Sequence, residues 1–291
     1  MDRGMRNQGE PMQVSELWIY PVKSCRGIAV EQIEVTPTGL SQDRHWMIVD
    51  VQGQFLSQRT HPQMAQIGVA LDAEQLVLSD GRGALDPIAV PRFGTGTERA
   101  VQVWKTRTMA LDQGDAIAAW LTALIDTPCR LVRQLPTYPR PTNPDYAPGA
   151  TVSFADGYPL LLTTTASLGE LNRRIQAADP AAAPISMGQF RPNVVIDLDP
   201  DRAFAEDDWR SLQIGAVRFD SVKPCDRCII TTTDQTSGDR NPHQEPLKTL
   251  ATFRRQQSKL LFGENLVPQT LGYLQRGNRL EILTTGPRPR L

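Results

Sequence analysis

Hydrophobic and polar positions alternate in short runs over most of the chain. LWIYPV (17–22) puts Trp18, Tyr20 and Val22 on one face of a strand by period-two alternation. WMIVD (46–50) runs into the turn Asp50-Val-Gln-Gly53, and QFLSQ (54–58) returns, which predicts a hairpin. Further short runs follow at QIGVALD, LVLSD, IAVP and RAVQVW, separated by Gly, Pro or Asp. After the middle of the chain the pattern resumes with VVIDLD, LQIGAVRFDSVKP, CIITTTD and RLEILTT. Many short strands with turn residues between them predict a barrel or sandwich rather than a doubly wound sheet.

Three stretches carry helical spacing instead. DAIAAWLTALI (115–125) places Ile117, Trp120, Leu121 and Leu124 at i, i+3, i+4 and i+7, with Asp115 as the expected N-cap. Ser167-Leu-Gly-Glu170 has the form of a capping box and opens a helix with Leu168, Leu171 and Ile175 inward. Glu245-Pro246 starts a third, with Leu247, Leu250 and Phe253 as its inner face. LPTYPRPTNPDYAPG (135–149) is too rich in Pro for a regular helix or a central strand. It reads as a connection between two halves or a loop over a site.

The chain's 291 residues allow one large domain or two intimate ones. A net charge of −1 argues against a dominant nucleic-acid or membrane-surface field, so neither partner is expected. No run approaches a membrane span, and the polar start MDRGMRNQGEPMQ reads as a disordered tail over residues 1–13 rather than a secretory signal. Four cysteines are too few for a disulfide scaffold and predict reduced thiols in a cytoplasm.

The candidate chemistry begins with KPCDRC (223–228). Cys225 and Cys228 have the spacing of a zinc half-site, a dithiol or part of a cluster ligand set, and equally of two unrelated thiols. Zinc wants four ligands, and neither Cys25 and Cys129 nor His45, His61 and His243 form a second pair. A reactive dithiol wants a helix N-terminus, whereas the β-branched IITTT predicts a strand. Lys223 and Arg227 favour thiolate, which suits a soft metal whose other ligands come from a cofactor. Elsewhere, Lys23-Ser24-Cys25-Arg26-Gly27 is a cationic turn able to offer backbone N–H groups to an anion. Arg44 opens an apolar strand beside Asp43. Arg191, which Pro192 is expected to hold extended, can grip a phosphate, and Asn193 can meet a heterocycle edge. Each of these also has a bland reading as a solvated or paired residue. The histidines occur singly, as surface or packing residues.

Taken in order, the motifs LWIYPVKSCRG, DRHWMIVD, FADGYPLLLTTTASLGELNRR, FRPNVVID, the Trp209–Gly215 stretch, KPCDRCIITTTDQTSG, EPLKTLATFRR and FGENL resemble the molybdenum-cofactor-sulfurase C-terminal (MOSC) domain proteins with the associated N-terminal β-barrel region. The pattern is most similar to the amidoxime-reducing components and the bacterial reductases of N-hydroxylated bases. The resemblance implies an α+β, mostly β fold, with a barrel region over 14–130 packed with a MOSC domain over 131–291. It implies a pyranopterin molybdenum cofactor, with Cys228 as the metal ligand and Lys23, Ser24, Arg44, Arg191, Asn193 and Arg227 around the pterin and its phosphate. It also carries a family-level association with pyridoxal phosphate binding. The expected activity is reduction of N-hydroxylated small molecules, N–OH to N–H. Electrons would come from a separate ferredoxin- or cytochrome b5-type protein. The alternative is a cofactor or sulfur carrier without turnover. Asp226 stands where relatives often have Ser.

Overall fold

The computed structural model describes residues 12–287. The expected tail therefore lies outside the described residues except for its last two positions, and Gln13 already opens the first strand, Gln13–Ile19.

The chain is mostly β with few helices, as the run pattern predicts. The largest sheet has nine strands. At its centre lies Leu160–Thr164, buried at every position, as befits a strand covered on both faces. It runs parallel to Val194–Asp197 and antiparallel to Lys259–Pro268. The helix α1, Asp115–Ile125, belongs to the first half, whereas α2, Thr165–Ala178, makes the crossover that a parallel pair requires. Gln13–Ile19 pairs with the far side of Val194–Asp197, so the start of the chain is stitched into a sheet built largely by its second half.

The first half supplies a four-stranded sheet in the order Trp46–Asp50, Cys129–Gln134, Thr106–Asp112, Glu98–Val103. Ile117, Leu121 and Leu124 of α1 join Trp46, Ile48 and Leu131 in one core. Each such side chain contributes about 1.5–3 kcal/mol by leaving water. The expected hairpin forms: Asp50 N–H donates to Gln54 O and Leu56 N–H to Ile48 O, both at 2.8 Å, and Gly53 supplies φ +82°.

Several local expectations change. In the first strand Leu17 and Ile19 face the core, while Trp18 is only half-buried and Tyr20 and Val22 are buried beyond the strand end. A bulge between Val14 and Glu16 interrupts the alternation. The cap of α1 is Gly114, and Asp115 is its first residue. The cap of α2 is Thr164, whose Oγ1 accepts from Ser167 N–H at 3.2 Å; Ser167 is inside the helix and Glu170 pairs with Arg173 and Arg174. The third helix, α3, is Leu247–Phe253, with Pro246 as its cap rather than in its first turn. The buried Glu245 carboxylate accepts from both Thr249 N–H and Oγ1–H at 3.1 Å.

The most consequential change concerns IITTT. Instead of a strand, Ile229–Thr232 forms a 3-10 turn with Cys228 at its N-terminal boundary. The hydroxyls of Thr231 and Thr232 donate back to the carbonyls of Cys228 and Ile229 at 2.9 and 2.8 Å. Threonine side chains that satisfy backbone oxygens locally compete with the ladder that β-propensity favours.

Candidate active site

The strand Val217–Asp226 carries KPCD into the site. Its pairing with Lys259–Pro268 slips between Ser221 and Lys223 and again between Pro224 and Asp226. Pro224 has no N–H to donate, and the double irregularity bends the strand end away from the ladder. The chain then turns through Arg227 and Cys228 into the 3-10 turn. Both Cys225 and Cys228 line a cleft of about 430 Å³.

All seven side chains singled out in the sequence, Cys228, Arg227, Lys23, Ser24, Arg44, Arg191 and Asn193, line this same cleft. They arrive from four separated segments. Lys23 is buried in the turn after the first strand; its N–H donates to Trp46 O at 2.8 Å, and its Nζ donates to Phe154 O at 2.8 Å and pairs with Asp156. Burial pulls the Lys23 ammonium down to about 8 against the opposing attraction of Asp156. At Asp156, partial burial pushes the carboxyl up, but the charges of Lys23 and Arg59 overcome it and hold the group well below the usual carboxylate range.

The cationic turn commits much of its backbone to the protein itself. The N–H groups of Lys23, Cys25 and Arg26 are taken by Trp46, Val22 and Ile67 carbonyls. Three of the turn's backbone donors are therefore spent within the protein, and its positive charge reaches the cleft through the Lys23 side chain.

Arg44 and Arg191 lie on Tyr20, each with its guanidinium carbon 4.2 Å from the ring centroid. The Tyr20 hydroxyl donates to Pro192 O at 3.1 Å. Arg44 also grips Asp43 at 2.6 Å and donates to Arg191 O at 3.2 Å. Arg191 is not extended: its φ is +55° and ψ +47°, because it closes the 3-10 turn Met187–Phe190 with its N–H on Gly188 O. A left-handed conformation still avoids the right-handed helical region that the following proline disfavours. Ser24 and Arg44 also have positive φ, +67° and +50°. Such conformations cost of order 1–3 kcal/mol each and persist where the surroundings impose them. Burial draws Arg191 down to about 10, yet it stays a cation at neutral pH.

Asn193 is buried and largely committed to the protein. Its Nδ2 donates to Trp18 O at 3.1 Å, and its Oδ1 accepts from Leu161 N–H at 3.1 Å and from Arg44 at 3.2 Å. Arg227 donates from Nη1 to Cys225 Sγ at 2.8 Å and from Nη2 to Phe190 O at 2.6 Å. Burial pushes the Cys225 thiol up, with Arg227 opposing. Asp226 pairs with Lys259 at 2.5 Å, so the residue in the place of the usual Ser is charge-compensated.

Several cleft residues carry no motif that singles them out: Arg59, Trp104, Asp156, Tyr158 and Asn265. Asp156 and Tyr158 stand in the quoted motif FADGYP and Asn265 in FGENL, but nothing in those motifs marks them as site residues. Cys25 and Cys129 are buried, and burial raises their thiols to about 12 and about 11. The histidines do not line the cleft, nor does any residue of 135–149; from that segment Tyr146 lies 5.5 Å beneath Lys223 Nζ.

The donor set suits a large anionic group with one soft metal bond. Arg191 Nη2 and Arg227 Nε are buried without a hydrogen-bond partner in the protein. Native structures rarely leave buried donors unmet. An anion that satisfies them, beside a thiol free to become a metal-bound thiolate, fits a phosphorylated metal cofactor.

The chain, mostly β with a cation-lined cleft that holds Cys225 and Cys228, is matched by two family models: the MOSC N-terminal beta barrel domain over residues 11–128 and the MOSC domain over residues 149–281. The chain belongs to the MOSC family of proteins that carry this N-terminal barrel. It is 33% identical over 290 residues to human mitochondrial amidoxime-reducing component 1, covering 93% of this chain and 82% of that relative. Rat mitochondrial amidoxime reducing component 2 is 31% identical over 291 residues, 91% of this chain and 81% of its own length. Human molybdenum cofactor sulfurase is 32% identical over 249 residues, 80% of this chain and 28% of that longer protein. Among the described residues no helix is long and apolar enough to cross a membrane.

Proposed function

We propose that this protein is a molybdenum-cofactor-dependent reductase of N-hydroxylated compounds, converting N–OH to N–H with electrons from a separate ferredoxin- or cytochrome b5-type protein. The supporting observation is the convergence of Arg191, Arg227 and Lys23 on a cleft also lined by Cys228, with one buried nitrogen of Arg191 and one of Arg227 unmet. The names of the two amidoxime-reducing relatives support the substrate class.

In this reading Cys228 supplies the thiolate to the metal. Arg191 and Arg227 offer their unmet donors to the phosphate, and Lys23 and Ser24 face the same group. Arg44 and Asn193 act mainly through others: Arg44 holds Arg191 over Tyr20, and Asn193 ties the segments at Trp18 and Leu161 together. The bound cofactor supplies the oxygen-atom and electron-transfer chemistry. The protein's own task is orientation, charge and protons. Reduction of R–NH–OH takes two electrons and two protons and gives R–NH2 and water. Lys23 Nζ, drawn down to about 8 and paired with Asp156, is a proton carrier suited to neutral pH at this cleft.

The test is elemental analysis of protein made in a molybdenum-competent host, joined to an amidoxime reduction assay with an artificial reductant. Molybdenum with turnover is expected. Molybdenum without turnover on any N-hydroxylated substrate favours the carrier reading. Protein that contains no molybdenum after expression in such a host overturns both.

A further inference from the structure

One aromatic side chain at the cleft, Trp104, is not among the residues that the reductase reading assigns to the cofactor. Trp104 sits at the tip of the hairpin between Glu98–Val103 and Thr106–Asp112. It lines the cleft, yet 43% of it is exposed. Its φ is +55°, a conformation that is rare for a bulky residue and costs free energy. The ring is not buried in a core that would offset this cost. Instead it is fixed in place from several sides. The Arg59 guanidinium lies 4.4 Å from the ring centroid, and Phe55 meets it edge-on at 5.0 Å. The indole N–H donates to Asp156 Oδ1 at 3.3 Å, and Gln102 Nε2 donates to the Trp104 carbonyl at 2.8 Å. A half-exposed indole held by partners from both halves of the chain is a preorganised flat wall. Held this way, it meets a ligand without the entropy cost of ordering the side chain at binding.

We propose that Trp104 is the specificity-determining wall of the substrate subsite, against which a planar, conjugated N-hydroxylated compound such as an aryl amidoxime stacks. The proposal rests on the reductase reading above and adds a selection rule to it. Flat unsaturated substrates gain the stacking face, whereas hydroxylamine itself, with no π system, gains nothing from it. Arg59 and Asp156 act as positioning residues, because they touch the indole and set its plane.

The experiment uses cofactor-loaded protein with a chemical reductant and two substrates, benzamidoxime and hydroxylamine. Trp104→Gly removes the ring and suits the positive φ, so the turn keeps its conformation. Trp104→Phe keeps a ring and drops the indole N–H. For Trp104→Gly the KM for benzamidoxime is expected to rise about tenfold with kcat within about threefold, in keeping with the strength of one aromatic stack. Trp104→Phe stays within about threefold of the parent, and hydroxylamine kinetics stay within about twofold in both. Calorimetric binding of benzamidine, the product, is expected to weaken in parallel with the KM change. An unchanged benzamidoxime KM in Trp104→Gly, or an equal loss for both substrates, overturns the proposal while leaving the reductase reading intact. Loaded parent protein that reduces neither substrate overturns that reading and this one with it.

Discussion

Arg227 donates to the sulfur of Cys225 at 2.8 Å and, through its other terminal nitrogen, to the carbonyl of Phe190. The two cysteines of the C-x-x-C are thereby made unequal. Cys225 is tied to a guanidinium and kept as a thiol by burial, while Cys228 stands at the open end of the 3-10 turn.

This inequality predicts different consequences for the two thiols. Cys228→Ala is expected to reduce bound molybdenum to background. Cys225→Ala is expected to keep at least about half of it, because that thiol makes one side-chain contact worth ~1 kcal/mol. Metal analysis of the two purified variants checks this; equal loss in both would contradict a single protein ligand.

The stack of Arg44, Tyr20 and Arg191 predicts a graded response at Tyr20. Tyr20→Phe keeps the ring between the cations and removes one buried hydrogen bond to Pro192 O, at a cost of about 1–3 kcal/mol. Tyr20→Leu removes the face on which two buried guanidinium groups rest and is expected to cost more, with loss of cofactor retention. Chemical denaturation alongside molybdenum content distinguishes the two variants. Equal cofactor loss in both would mean that the hydroxyl, not the ring, does the work.

Asn193 predicts a stability phenotype rather than a purely local one. Asn193→Ala leaves the Trp18 carbonyl and the Leu161 N–H without their side-chain partner inside the protein. A loss of about 2–4 kcal/mol is expected from two buried groups left unmet. Cofactor-free protein should show this loss in a denaturant melt; an unchanged midpoint would argue that Asn193 matters only to the ligand.

Glu264 predicts the pH dependence of folding. It is buried on the side of Lys259–Pro268 opposite Asn265, and Ser221 Oγ donates to its Oε2 at 3.2 Å. Burial raises its carboxyl to about 8; Ser221 opposes this, Glu206 adds to it, and Arg210 and Arg254 offset part. In the unfolded chain the same group ionises near 4.5. Between these values the folded state binds the extra proton, so its contribution to stability is full below pH 4.5, falls as pH rises towards about 8, and is flat above. Glu264→Gln removes this slope. Its melting temperature should match the parent near pH 4.5 and exceed it by several degrees at pH 8.5, on the order of a few kcal/mol. Melting curves across that range check it; a constant offset would mean that Glu264 does not titrate in the window.

Much of this molecule was legible in residue order. Short apolar runs located about half of the strands, though not the central Leu160–Thr164 or Lys259–Pro268, and i, i+3, i+4 spacing located all three α-helices found among the described residues, because burial of one face is a local pattern. The chemistry-bearing residue types were legible too: Arg191 precedes Pro192, Arg227 precedes Cys228, Lys23 stands between Pro21 and Cys25, and Arg44 follows Asp43. What the sequence could not supply was whether four separate cations face one another, since that depends on contacts more than a hundred residues apart. The parallel pairing of Leu160–Thr164 with Val194–Asp197 and the return of Gln13–Ile19 to the same sheet decide it. The IITTT run misled for the same reason: β-propensity is an average over environments, and here two threonine hydroxyls and a bent strand end outweighed it. Trp104 carried no local signature, and Asp156 lay in the quoted FADGYP without any sign of its role. Their importance arises only where a hairpin tip from one half meets a loop from the other, a meeting that only the tertiary fold brings about.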